Sequence, residues 1–174
     1  FVNRNDNQRS LIFAAFTAEE IGGYGSKHFA EQLKPEDIVA MINIEMIGKP
    51  SKFGAGTMWM TGAERSNLQF LLNQSLVDSG HQIHTDPYPE QQLFYRSDNA
   101  TLAGFGVPAH SFSTTQLDKD EHYHQVSDDI HSLDLDSMYQ VIRQLALAVE
   151  GLNNGKQTPN RIEPLNNRSK GLIY

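Results

Sequence analysis

"LIFAAFTAEEIGG", Leu11 to Gly23, is an apolar run that ends at two adjacent carboxylates and a glycine pair. Its first part, Ser10–Phe16, is short, apolar and bounded by polar residues, which predicts a buried strand. Two like charges side by side repel, and near a core each costs desolvation. Glu19 and Glu20 therefore either face water at a helix start or have something positive between them. Thr17-x-x-Glu20 matches a helix capping box, in which both residues satisfy orphan backbone donors. The functional alternative needs adjacent side chains diverging from one turn, one binding a metal and the other reaching a water on it. Spacing does not choose between the two.

Outward from this stretch, strand and helix patterns alternate. Gly22 to Leu33 predicts a helix with Tyr24, His28, Phe29 and Leu33 on one stripe, closed by Pro35. "IVAMINIEMI" (Ile38–Ile47) is a second apolar run, interrupted by an acid and followed by Gly48. "TMWMTG" (Thr57–Gly62) is a weaker third strand. Ser66–Asp78 has Leu68, Leu71, Leu72 and Leu76 at helical spacing, with Gly80 as a stop. "SDNATLAGFG" leads through a short helix into the strand "VPAHSFST". Asp134–Leu152 keeps the 3.6-residue period through Met138, Val141, Ile142, Leu145, Val149 and Leu152. Residues 153–174, rich in Asn, Pro, Gly, Lys and Arg, read as a loose extension or linker after a domain spanning 1–152. The alternation predicts an α/β fold, a mixed, largely parallel sheet with helices on both faces. Ligands in such folds sit beyond the carboxyl ends of the strands, where Glu19–Glu20 and Glu45 fall.

The 174 residues, 39% hydrophobic and 20% charged with a formal net charge of −7, suit one domain with a real core. The acidic balance argues against nucleic acid or an anionic membrane as partner. Cysteine is absent, so neither a disulfide framework nor a thiolate metal site is available. No apolar stretch approaches the ~20 residues that span a bilayer. The chain opens at Phe1 rather than Met, and reads as a piece cut from a longer protein.

Several residues are candidates for chemistry. Glu45 interrupts a strand that a parallel sheet covers on both faces, so its carboxylate wants a cation or several donors, unless it lies exposed or pairs with Arg96. "DKDEHYHQVSDD" (Asp118–Asp129) places His122 and His124 among acids in a loop, where imidazole can meet a metal. His28 reads as a packing or surface residue, and His81, His84 and His131 lack a supporting pattern. His110, in an apolar strand, reads as a hydrogen-bonded core histidine. Asp98 reads as the N-cap of the short helix after it, with Tyr95 and Arg96 as pocket candidates.

Taken in order, "IFAAFTAEEIGGYGS", "AMINIEMIGK", "YRSDNATLAGFGVPA" and "HYHQVSDD" resemble the zinc-dependent exopeptidases of clan MH. That group includes bacterial and yeast aminopeptidases, glutamate carboxypeptidases, the transferrin receptor ectodomain and glutaminyl cyclases. The resemblance runs from about Ser10 to Leu152. It implies an exported metallopeptidase, foremost an aminopeptidase, acting on peptides with two zinc ions and a metal-bound water. Carried over, Glu19 is the general base, Glu20 and His124 ligate one zinc, and Glu45 ligates the other. Tyr95 or Tyr123 contacts the substrate or oxyanion. Glutaminyl cyclase-like acyl transfer and a non-catalytic, transferrin-receptor-like binding role are the alternatives the same resemblance leaves open. Two departures matter. The group usually has Asp where this chain has Glu45, although glutamate ligates zinc well at about 2.0–2.2 Å. The upstream segment that supplies a further His and a bridging Asp has no counterpart here, so the sheet's N-terminal strands are expected to be missing as well.

Overall fold

An apolar run becomes a strand only where a neighbour completes its hydrogen bonds. Four segments meet that condition in the computed structural model, which describes residues 6–166. They are β1 (Met41–Ile44), β2 (Met58–Met60), β3 (Ile83–Thr85) and β4 (Ala109–Ser113). The sheet runs β1-β4-β2-β3. β1 lies parallel to β4 and β2 parallel to β3, while β2 and β4 are antiparallel. The sheet is therefore mixed, as expected.

Helices cover both faces. On one, Met58, Met60 and Phe112 of the sheet pack against Leu68, Leu72 and Leu76 of α2 (Leu68–Leu76) and Val141, Leu145 and Ala148 of α4 (Leu135–Ala148). On the other, Ala109 and Val107 meet Ala30 of α1 (Tyr24–Glu31) and Leu102 and Ala103 of α3 (Ala100–Gly104). α4 starts where the Asp134 carboxylate accepts from Ser137 N at 2.9 Å, an N-cap. α5 (Glu150–Asn153) follows after a break at Val149. His110 is fully buried, its Nδ1 2.8 Å from Thr61 O and its Nε2 2.8 Å from Ser66 Oγ. The expected core histidine is satisfied on both nitrogens.

Four expectations need correction. Ser10–Phe16 is not a strand, and Phe13 is 79% exposed. Nothing among the described residues pairs with it, so its apolar character has no partner layer. α1 buries Ser26 and Ala30 rather than the stripe through Tyr24, because the shorter helix turns its small side chains toward α3. Ile142 of α4 is 45% exposed, since only one side of that helix meets the sheet. Residues 153–166 are not loose. Ile162 is buried, its N–H donates to Gly106 O at 3.2 Å, and Leu165 N donates to Gly104 O at 3.0 Å. Residues 167–174 lie outside the described residues. β3 was not anticipated, because three residues carry too short an alternation to read.

Phe13→Ala should shift stability by no more than about 0.5 kcal/mol, as at other exposed sites. Phe112→Ala should cost roughly 3–5 kcal/mol. Urea denaturation of both variants checks this, and a large loss in the first would restore the buried-strand reading.

Candidate active site

The paired glutamates sit on a tight turn. Gly22 N donates to Glu19 O at 2.9 Å, Gly23 N to Ala18 O at 2.9 Å and Gly25 N to Thr17 O at 3.1 Å. Ala18 takes φ 61°, a left-handed conformation that a non-glycine residue adopts only when its surroundings hold it there. Gly25 is required by close approach, for a Cβ there would lie 2.6 Å from Thr17 O. The capping box does not form. α1 begins at Tyr24 with Gly23 at its N-cap and no side-chain cap bond, so Thr17 and Glu20 are free of that duty.

Glu45 follows directly on β1, at the carboxyl end of the strand. Ser97 Oγ donates to its Oε2 at 2.6 Å. Behind Ser97 runs a chain of buried polar groups whose donation diverges from Asn43. Asn43 Nδ2 donates to Ser97 Oγ at 2.8 Å and to Ser111 Oγ at 2.9 Å. Ser111 Oγ donates to Asn99 Oδ1 at 3.0 Å, and Asn99 Nδ2 reaches the carbonyls of Phe94 and Ala109. Arg96, the partner considered from sequence, is replaced in that role by its neighbour Ser97. The Ser97 and Ser111 hydroxyls do not offset the loss of water. Burial first, and the Glu19 charge after it, push the Glu45 carboxyl from 4.5 up to about 7. The next residue, Met46, takes φ 49°, and its carbonyl accepts from Thr114 N at 3.2 Å, Ser113 Oγ at 3.1 Å and Thr115 Oγ1 at 2.9 Å.

The third part comes from the loop between β4 and α4. His124, itself at φ 57°, brings Nε2 to 3.1 Å from Glu20 Oε2. Tyr123 stacks on the His124 ring at a centroid distance of 3.9 Å. His122 instead turns its Nδ1 to Ser127 Oγ at 3.0 Å, which separates the two histidines by role.

Glu19, Glu20, Glu45 and His124 are thus drawn to one rim. Burial, then the charges of Glu20 and Asp98, raise the Glu19 carboxyl, against the pull of His124 and Arg96. Burial likewise raises the Tyr123 hydroxyl, which feels Arg96 and all three glutamates. Tyr95 packs edge-on against Phe94 at 4.6 Å, with the Arg65 guanidinium 5.2 Å from its ring. No group of three or more His, Asp or Glu side chains forms a ready metal cage among the described residues. Asp98 does not cap α3, whose N-cap is Asn99. Its carboxyl is raised by burial, its Oδ1 is buried without a partner, and its charge reaches Glu19 and Glu45. The sequence offered one signal for this buried network, the polar Asn43 inside an apolar strand.

The raised Glu45 value has a stability consequence. Folding disfavours the charged form, so its destabilising effect is absent below 4.5 and grows as pH rises through about 7. With metal withheld, Glu45→Gln should therefore be more stable than the parent at pH 8, the gap narrowing toward pH 5. Denaturant melts at the two pH values check it. Equal stability at pH 8 would show a solvated carboxylate.

The fold is similar to that of several solved structures. An aminopeptidase from Aneurinibacillus sp. strain AM-1 matches over 91% of this chain and 34% of its own, at 20% identity and TM-score 0.58. BSAP, a zinc aminopeptidase from Bacillus subtilis, matches over 88% and 38%, at 18% identity and TM-score 0.66. The Legionella pneumophila aminopeptidase LapA matches over 80% and 38%, at 22% identity and TM-score 0.63. The chain spans little more than a third of these structures. No curated protein sequence matches it significantly. The model of peptidase family M28 matches residues 1–149, and the chain belongs to that family.

Proposed function

We propose that this chain supplies the general base and part of the metal ligand set of a zinc aminopeptidase. The observation that carries the reading is the meeting of Glu20 and His124 at 3.1 Å, with Glu19 and Glu45 on the same rim. Carboxylate and imidazole donors suit zinc. Two features favour a cation here: a Glu45 carboxyl desolvated until it titrates at about 7, and a buried Asp98 oxygen with no partner. Glu20 and His124 would hold one ion and Glu45 a second. The solved structures of similar fold are described as aminopeptidases, which favours removal of N-terminal residues.

Zinc in such a site polarises the scissile carbonyl and eases loss of a proton from water. The remaining steps fall to side chains. Glu19 takes a proton from the attacking water as the water oxygen bonds to the carbonyl carbon. As the carbon–nitrogen bond breaks, Glu19 passes that proton to the departing amine. Partial burial raises its basicity, which suits a group that must hold a proton briefly. Tyr123, stacked on His124 beside the three glutamates, is better placed than Tyr95 to contact substrate or oxyanion.

In the full-length protein, Glu19→Gln should lower kcat on aminoacyl substrates by at least ~10²-fold while zinc content stays near normal. Metal analysis beside the rate assay separates the roles, because equal loss of zinc would make Glu19 a ligand. Glu20→Ala and His124→Ala should each lower zinc occupancy. Retention of the full complement by either variant would remove that residue from the ligand set.

A further inference from the structure

Between Gln116 and Leu133 the chain runs in turns and one short 3-10 segment, with no strand to hold it. His124 lies mid-way along this loop and needs a fixed position to meet Glu20. Lys49 is the side chain that crosses the base of the loop. Its Nζ donates to Asp120 Oδ1 at 2.9 Å, to Asp120 Oδ2 at 3.1 Å and to Asp128 Oδ1 at 3.0 Å. The two aspartates flank His124 symmetrically, four residues before it and four after. Asp120 is only 5% exposed and Lys49 16%, so this is no loose surface pair. Both carboxylates are tied into the loop. Asp120 Oδ1 also accepts from His122 N at 3.0 Å, and Asp128 Oδ1 from Ser132 Oγ at 3.1 Å.

The other end of the clasp is equally well anchored. The Lys49 carbonyl accepts from Thr114 Oγ1, and the Met46 carbonyl gathers donors from the end of β4. Gly48 O accepts from Asp134 N at 2.7 Å, joining the same segment to the start of α4. The Leu133 side chain packs directly over Gly48, where a Cβ would stand 2.6 Å from Leu133 Cδ2. Lys49 thus extends from the stretch that begins with Glu45 and grips the loop that carries His124.

We propose that Lys49 is a positioning residue that sets the His124 imidazole against Glu20 by tying both sides of its loop to the chain following Glu45. This deepens the metallopeptidase reading and rests on it, since His124 matters here as a ligand. Removing the ammonium would leave Asp120 nearly buried without its counter-charge, and the loop would have to open to solvate it. A purely structural clasp would move stability alone. A positioning clasp must also move metal affinity, and a second cation of similar reach should restore it.

Zinc titration calorimetry on the parent, Lys49→Met and Lys49→Arg, with His124→Ala as control, tests this alongside amide hydrogen exchange over residues 118–129. Lys49→Met should weaken zinc binding roughly 10-fold or more and speed exchange in the loop, with α2 and α4 unchanged. Lys49→Arg should recover most of both, because the guanidinium reaches two carboxylates. Should Lys49→Met not fold, Asp128→Asn, which leaves the Asp120 pair intact, should show the same changes at smaller size. Parent-like zinc affinity in Lys49→Met would overturn the proposal. If the parent itself binds no zinc, the ligand assignment fails and takes the positioning role with it, whereas parent-like affinity in Lys49→Met beside a zinc-binding parent overturns the clasp alone.

Discussion

A carboxylate held at the end of β1, desolvated despite the hydroxyls beside it, is the constraint around which the molecule is arranged. Glu45 cannot be moved outward, because β1 is fixed in register with β4 from Met41↔Ala109 to Ile44↔Phe112. Its donor Ser97 is itself held by Asn43, which also donates to Ser111, and Ser111 leads through Asn99 into the backbone. Buried polar groups of this kind are tolerable only when each is satisfied. Every member is, and what remains on Glu45 is the cost of desolvating its charge. The electrostatic cost therefore falls on Glu45 and on the nearby unpartnered Asp98 oxygen, the two groups a cation would relieve.

Backbone strain gathers at the same place. Ala18 precedes Glu19, Met46 follows Glu45 and His124 is itself a proposed ligand; all three have positive φ. Each such residue costs of order 1–3 kcal/mol and persists only where neighbours over-determine it. Here the neighbours are visible: glycine donors around Ala18, hydroxyls around the Met46 carbonyl, and the Lys49 clasp around the His124 loop. Stability spent this way buys direction, since each kink re-aims a side chain that a regular strand or turn would send elsewhere.

Much of this was legible in order. The strands around Asn43, Trp59 and Ser111 and the helices over Leu72 and Leu145 follow from hydrophobic period, and His110 from its apolar setting. Glu45 could be singled out because an acid inside an apolar run is costly wherever the strand goes. Leu11–Phe16 misled for the complementary reason. Apolar character reports a wish for burial, but a strand needs a hydrogen-bonding neighbour, and none is present among the described residues. Asp98 misled because a carboxylate before a helix satisfies the capping pattern locally, whereas its real surroundings are Ser26, Glu19 and Glu45, all distant in sequence.

By itself the sequence determined the residue types available for chemistry, the alternation that makes an α/β sheet, and membership of the M28 family through residues 1–149. These are properties of local pattern, readable wherever hydrophobic period and short motifs survive. Only the tertiary structure decided how closely Glu20 and His124 meet, that Ser97 and not Arg96 serves Glu45, and that residues up to 166 close over α3. Those outcomes depend on which distant backbones are brought together and at what angle. Such distances are set by packing two helical layers on one twisted sheet, and no local pattern carries them.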